Sequence, residues 1–251
     1  PFPMLLSFPD RAEPVPAIVA LSFGPIEDVL KQTSVWPLEW LASHGWAVAI
    51  AHVNDIEPDD KDKSSGQAIS QWAQGLMQMR CWLAGDSRID SGKIVALGHS
   101  RLGKTALVAT AFDEGFAGTV AIQSGCGGAA PSRTAIGETI ADITRVFPHW
   151  FAPEFASFAG REDALPVDQH WLVALCASRP LLLCNAKDDQ WANPQGQHEM
   201  LALAAEAYSE SMPPMEIGST VGSRLAHFYR EGTHQVTKVD WDAILGWLCN
   251  L

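Results

Sequence analysis

Residues 93–107 read KIVALGHSRLGKTAL, which puts a serine, an arginine and a lysine (Ser100, Arg101 and Lys104) at the join between two patterns. KIVALG is a short, β-branched apolar run suited to a strand buried on both faces. LGKTALVATAF spaces its apolar residues at helical intervals. A serine on such a strand-to-helix turn is lifted above the sheet, and the helix N-terminus behind it favours developing negative charge. The chemistry this suits is nucleophilic attack on a carbonyl. Gly98 and Gly103 flank the serine as G-x-S-x-x-G, one residue longer than the usual elbow.

A serine hydroxyl is a weak nucleophile and needs a base. Of the eight histidines, His234 in REGTHQVTKVDW follows the last strand-like run and precedes a C-terminal helical segment. That matches the chain order of α/β-hydrolases: Ser, acid, His. His44, His52 and His227 lie near or within structural elements and are expected to pack. His99 is expected to pack or hydrogen-bond beneath the turn. The acid must fall between Ser100 and His234, and PLLLCNAKDDQWANP offers Asp188 and Asp189. Asp189, a few residues before a proline, fits the hydrolase arrangement, with Asp188 as the alternative. Its task is to hold the imidazole tautomer and stabilise the imidazolium. An oxyanion hole usually draws one N–H from the residue after the nucleophile and another from the loop after the third strand. That loop reads SFGPIED, and Pro25 has no N–H to give. Arg101 is therefore expected to supply both its backbone N–H and its guanidinium.

Positioning these groups requires a sheet. Short apolar runs recur as MLLSF, AIVALSF, WAVAIAHV, KIVALG, TVAIQSG, PLLLCNA and LAHFYR. Helical patterns lie between several of them: WPLEWLASHG, ISQWAQGLMQMRCWLAG, LGKTALVATAF and DQHWLVALCAS. The alternation predicts a mostly parallel central sheet with helices on both faces in three layers. The serine turn with its Ser, acid, His order makes an α/β-hydrolase fold the expectation. Ligands of such sheets sit outside the carboxyl ends of the strands, where Gly24, Ser100, Gln123, Asp189 and, more loosely, His234 fall. DIEPDDKDKSSG is expected to be a solvated loop. The excursion from Gly125 to about Pro166 is long for a plain loop, and excursions of that size are often functional.

The 251 residues are 47% hydrophobic and 18% charged, and no Pro/Gly/Ser-rich linker divides them. One domain over residues 1–251 is expected. A net charge of −12 with no basic stripe makes nucleic acid and anionic membranes poor partners. The five cysteines, Cys81, Cys126, Cys176, Cys184 and Cys249, include no C-x-x-C pair and are expected to be mostly buried free thiols. No metal and no cofactor is expected. No apolar stretch approaches the roughly 20 residues that span a bilayer. The chain opens PFPMLLSFPD without an initiator Met or signal peptide, so a trimmed form lacking an N-terminal segment is expected. A monomer in a secreted or periplasmic location is expected, although the residues themselves name no compartment.

GHSRLGK resembles the G-C/H-S-R-x-G-K signature of glucuronoyl esterases, carbohydrate esterase family 15, and particularly their bacterial branch. The likeness continues through SGCGGAAPSR, GETIADITRVFPHWF, LPVDQHWLVALCASRP, DDQWANPQG and YREGTHQVTKVDW, covering most of the chain from Trp36 onward. It implies a serine esterase that cleaves the bond joining glucuronic or 4-O-methylglucuronic acid on xylan to a lignin alcohol. It implies Ser100 as nucleophile, His234 as base and Arg101 as oxyanion stabiliser. It further implies that Lys104, Glu138 in GET and Trp191 in DQW contact the sugar. Lys and Glu offer a donor and an acceptor to a polyol, and an indole offers its face and N–H. On bland readings Trp191 is a core residue and Lys104 an exposed helix lysine.

The chain departs from the fungal pattern at Gln123, where that branch carries its triad acid, so the triad is expected to run through Asp189. The fungal disulfides have no evident counterpart, and SFGPIEDVLKQTS is shorter than expected between its two elements. Two other readings share these residues. A general carboxylesterase of acetylxylan or dienelactone type would keep the elbow without needing Lys104, Glu138 and Trp191 together. A catalytically impaired carbohydrate-binding homologue would explain Gln123 and the short loop.

Overall fold

The apolar runs become strands of one eight-stranded sheet, ordered β1-β3-β2-β4-β5-β6-β8-β7, in the computed structural model of the chain. The structure describes residues 1–31 and 35–251; residues 32–34, the end of the SFGPIEDVLKQTS segment, lie outside it. The strands are β1 (Leu5–Ser7), β2 (Val15–Ser22), β3 (Ala47–His52), β4 (Ile89–His99), β5 (Gly118–Ile122), β6 (Leu181–Ala186), β7 (Ser219–Gly222) and β8 (Leu225–Arg230). From β3 across to β8 the neighbours pair in parallel, while β1 and β7 close the two edges antiparallel. All seven predicted runs are strands. β7 is an addition that the sequence patterning did not reveal.

The described helices are α1 (Ile26–Val29), α2 (Leu38–Ser43), α3 (Ala68–Leu83), α4 (Arg101–Phe112), α5 (Ile140–Val146), α6 (Pro153–Ala156), α7 (His170–Leu175), α8 (Pro194–Ala204) and α9 (Lys238–Leu248). Strand alternation sorts the core onto two faces. Val19, Leu21, Ala49 and Ile94 pack with Trp72, Leu76 and Met79 of α3 and with Leu102 and Ala106 of α4. Their neighbours Ile18, Ala20, Ile50 and Val95 turn the other way, onto Leu41 of α2 and Trp241, Ile244 and Leu248 of α9. A third cluster joins Leu107 of α4, Val173 of α7 and Leu201 of α8 to Leu181, Leu183 and Leu225 of the sheet. The predicted three layers are present. Among the described residues, no helix is long and apolar enough to cross a membrane.

The join between β4 and α4 is the tightest crossing in this arrangement. A Cβ on Gly98 would lie 1.9 Å from the Leu102 carbonyl oxygen, and one on Gly103 3.2 Å from the carbonyl oxygens of Gly98 and Ile122. The two glycines let the helix leave the strand end at contact distance. Gly98→Ala is expected to cost about 3 kcal/mol or more, as a backbone clash that no rotamer relieves. Urea unfolding checks this, and a loss below about 1 kcal/mol contradicts it.

His227 of β8 is wholly buried, as its placement within a strand-like run suggested. Its Nε2 lies 2.8 Å from Asn185 Oδ1, and its Nδ1 lies 3.0 Å from Nδ1 of His198 on α8. Burial, with the neighbouring His198, pushes its pKa down to about 3. An unfolded histidine titrates near 6.5, so acid protonates the unfolded chain first and stability falls as pH drops from about 6.5 towards 3. The loss approaches ~1.4 kcal/mol per pH unit for this group. Unfolding at pH 7, 6 and 5 is expected to show this loss in the wild type and a shallower one in His227→Gln. Equal slopes in the two proteins contradict the assignment.

Candidate active site

Four neighbouring parallel strands end on one edge, and each end carries one part of the site. Ser100 follows β4, Gln123 and Ser124 follow β5, Asp189 and Trp191 follow β6, and His234 follows β8. Ser100 adopts φ 59° and ψ −125°, a conformation costly for a residue with a side chain. It is held there from both sides. Its N–H donates to the Ile122 carbonyl at 2.8 Å, and its carbonyl accepts from the N–H groups of Gly103 and Lys104 at 2.9 and 3.2 Å. The N–H of Arg101, the first residue of α4, has no intrahelical partner and points out of the helix start.

The structure brings His234 to Asp189, with Nδ1 2.6 Å from Oδ2. Asp189 is buried and Asp188 exposed, which decides between the two candidate acids. A carboxylate only accepts, so Nδ1 carries the proton and Nε2 is left as the basic nitrogen. Several anchors hold the His234 loop. Asp188 N–H donates to the Gly232 carbonyl at 2.9 Å, and Gln123 Nε2 donates to the Thr233 carbonyl at 3.0 Å. Arg230 Nε donates to the buried Asp240 at 2.7 Å, and Nη2 of the same arginine donates to the Gln235 carbonyl. The other Asp240 oxygen caps α9 by accepting from the N–H and hydroxyl of Thr237 at 2.8 Å each.

Gln123 thus supports the site without contacting the Nδ1 of His234. Since its amide nitrogen is committed to Thr233, its oxygen faces His99 Nε2 at 3.0 Å, and that nitrogen must be the donor. The His99 ring packs 4.7 Å from that of His234 and edge-on to Phe23. Burial, reinforced by His234, pushes the His99 pKa down to about 4, which keeps a second positive charge away from His234 at neutral pH. The expected packing role beneath the turn is what His99 has.

Arg101 reaches away from solvent into a ring of aromatic side chains. Its guanidinium carbon lies 4.8 Å from the Trp150 ring centre, 5.0 Å from that of Phe23 and 5.6 Å from that of Phe147. Nη1 donates to Asp59 Oδ2 at 2.6 Å, whereas Nε is buried with no partner. Asp59 belongs to DIEPDDKDKSSG, and here the structure corrects the expectation of a solvated loop. Glu57 is buried, accepting from the Ser64 hydroxyl at 2.7 Å, and the Glu57 carbonyl accepts from Trp72 Nε1 at 2.8 Å. The acidic run masked a segment that is pinned to the body of the protein and delivers one carboxylate to the site. The only sequence signal for it is indirect: a half-buried arginine beside the serine requires a carboxylate from somewhere.

Lys104 is 4% exposed, against the bland reading of a surface lysine, and its Nζ donates to the Ser124 carbonyl at 2.6 Å. Burial lowers its pKa, opposed by the charge of Glu138. Burial raises the pKa of Glu138, opposed by Lys104 and by a hydrogen bond from Trp191. The Glu138 N–H donates to the Trp191 carbonyl at 2.9 Å, which ties the two residues through the backbone. Trp191 is 57% exposed, which excludes core packing and leaves its indole open to solvent. The 125–166 excursion supplies Glu138, Phe147, His149 and Trp150 to this neighbourhood. Ser100, Asp189, Trp191 and His234 therefore follow neighbouring strand ends, while α4 supplies Arg101 and Lys104 and the 125–166 excursion supplies Glu138.

The chain and its fold have known relatives. A family model described as glucuronyl esterase, fungi, matches residues 2–211. A carbohydrate esterase of an unknown prokaryotic organism is 40% identical over 241 aligned residues, 84% of this chain and 54% of the relative. A 4-O-methyl-glucuronoyl methylesterase of Wolfiporia cocos is 26% identical over 216 residues, 82% of this chain and 50% of the relative. The chain spans about half the length of these curated relatives. Among solved structures, a promiscuous CE15 esterase from a marine bacterial metagenome superposes with a TM-score of 0.92 at 32% identity, over 98% of this chain and 76% of the other. The glucuronoyl esterase of Solibacter usitatus does so with a TM-score of 0.90 at 28% identity, with the same coverage. The α/β-hydrolase fold is thus shared along nearly the whole chain, and the chain belongs to the glucuronoyl esterase family.

Proposed function

We propose that this chain is a serine esterase that hydrolyses the ester between glucuronic or 4-O-methylglucuronic acid of glucuronoxylan and a lignin alcohol. The observation that carries this reading is the 2.6 Å contact of His234 Nδ1 with Asp189, made one packed ring away from the strained Ser100 turn. Ser100 Oγ attacks the C6 carbonyl carbon while its proton passes to His234 Nε2. The carbonyl oxygen becomes an oxyanion, met by the free Arg101 N–H at the start of α4 and by the unpartnered Arg101 Nε–H. The C–O bond to the alcohol breaks, and the leaving oxygen takes the proton from His234. Water then attacks the acyl-enzyme by the same relay and releases glucuronate and free Ser100.

Lys104, Glu138 and Trp191 fit the sugar half of that substrate. A buried ammonium and a half-buried carboxylate offer a donor and an acceptor to vicinal hydroxyls, and the exposed indole offers a flat apolar face. The reading includes a secreted or periplasmic location, where the polymer is found. A broader ester range is a second reading. The imidazole of His234 is 42% exposed, and the structural relative with 32% identity is described as promiscuous.

Turnover of benzyl glucuronate separates these possibilities. Ser100→Ala is expected to lower kcat by on the order of 10⁴-fold or more, and equal turnover in variant and wild type contradicts the mechanism. Trp191→Ala is expected to raise KM for the glucuronate ester roughly 10-fold, the equivalent of about 1.4 kcal/mol, while hardly changing hydrolysis of p-nitrophenyl acetate. A wild-type preference for the acetate supports the general carboxylesterase instead.

A further inference from the structure

We propose that Asp59 is a positioning residue for the oxyanion donor: it aims the Arg101 guanidinium and offsets its charge, so that the arginine answers the transition state more than the product. The inference rests on the serine-esterase reading above and assigns a role to the 55–66 loop.

Asp59 joins three separate parts of the chain. Its Oδ2 accepts from Arg101 Nη1 at 2.6 Å, while its Oδ1 accepts from Trp150 Nε1 at 2.7 Å and His149 Nε2 at 3.0 Å. The carboxylate is only 15% exposed, so its contact with Arg101 is poorly screened. Arginine is long and loses considerable rotamer entropy when fixed. The rings of Phe23, Phe147 and Trp150 limit where the guanidinium can sit, but their faces do not dictate its rotation. A carboxylate on Nη1 does. It pins one end of the planar fork and so settles which way Nε–H points. That Nε–H is buried without a partner, a state that costs free energy unless another group is built to use it.

The charge has a second consequence. An arginine beside the acyl site attracts the product carboxylate as well as the oxyanion. The substrate ester is neutral and the product is an anion, so an uncompensated guanidinium would hold product in preference to substrate. The Asp59 carboxylate opposes that ground-state attraction, while the short hydrogen bond to a developing oxyanion retains its strength in a water-poor site.

The atom assignments make Asp59→Asn diagnostic. An asparagine oxygen in the Oδ1 position keeps both bonds to Trp150 and His149, so the fold of those segments is preserved. Its NH₂ then faces Nη1, and only the hold on Arg101 and the negative charge are lost. Asp59→Asn is expected to lower kcat for benzyl glucuronate by about 10- to 100-fold, and Arg101→Ala by about 10²–10³-fold. The double variant should be no slower than Arg101→Ala within about threefold, because the carboxylate acts through the arginine. Glucuronate should inhibit Asp59→Asn several-fold more tightly than the wild type, whereas general loosening of the site would weaken inhibition together with turnover. Losses that multiply in the double variant, or weaker glucuronate inhibition, overturn the proposal. If the wild-type chain does not hydrolyse the ester, the esterase reading fails by itself, and the ¹⁵N spectrum of arginine Nε–H groups decides the positioning claim. A protected Nε–H resonance that vanishes in Arg101→Ala and broadens or shifts in Asp59→Asn supports it. The same resonance unchanged in Asp59→Asn refutes it.

Discussion

The backbone of Ser100 is the constraint on which the site depends. A φ of 59° with ψ −125° at a residue bearing a side chain is tolerated only where its surroundings impose it. Here the Ile122 carbonyl holds the serine N–H, and α4 begins so close to β4 that position 98 admits no side chain and position 103 is tightly enclosed. The strain fixes three things together. The hydroxyl stands above the sheet edge, the Arg101 N–H lies free at the helix start, and the Arg101 side chain is thrown towards the 55–66 loop. A relaxed serine would keep none of them.

The rest of the site is delivered by connections that are long but not loose. His234 sits on a loop tied to Gln123, Asp188 and the buried Arg230–Asp240 pair, so its imidazole meets Asp189 without a helix or strand to carry it. Breaking a buried pair of that kind typically costs about 3–5 kcal/mol, enough to free the whole loop. Charges are sorted in the same economical way. His99 stays neutral beside His234, Lys104 and Glu138 moderate one another, and Asp59 faces Arg101. The site thus gathers many ionisable groups with each charge answered nearby, and a neutral ester meets little uncompensated field before reaction.

Much of this could be read from residue order. KIVALG, the helix after it and the late His234 follow from periodicity and from the chain order of serine hydrolases, and the sheet reproduces every apolar run as a strand. The choice of Asp189 over Asp188 needed burial to decide it, because two adjacent aspartates look alike in sequence. β7 was hidden because STVG is a half-exposed edge strand of four residues. α8 was hidden because its first turn, PQGQ, is polar and its apolar stripe is thin. Asp59 could be inferred only indirectly, from the need of Arg101 for a carboxylate. It lies in a run of acidic and small polar residues that composition assigns to solvent, and only tertiary packing against Arg101, His149 and Trp150 makes it part of the site. Lys104 is the converse case: a helical lysine whose burial nothing in its neighbours announces.

The central claim is that Ser100 is made nucleophilic by His234 and Asp189 across one sheet edge. Reaction with an alkyl p-nitrophenyl phosphonate, followed by peptide mass mapping, tests it directly. The phosphonyl group is expected on Ser100 alone, with labelling slowed by about 10²-fold or more when His234 is replaced by alanine. Labelling of another residue, or a rate on Ser100 indifferent to His234, would contradict the account.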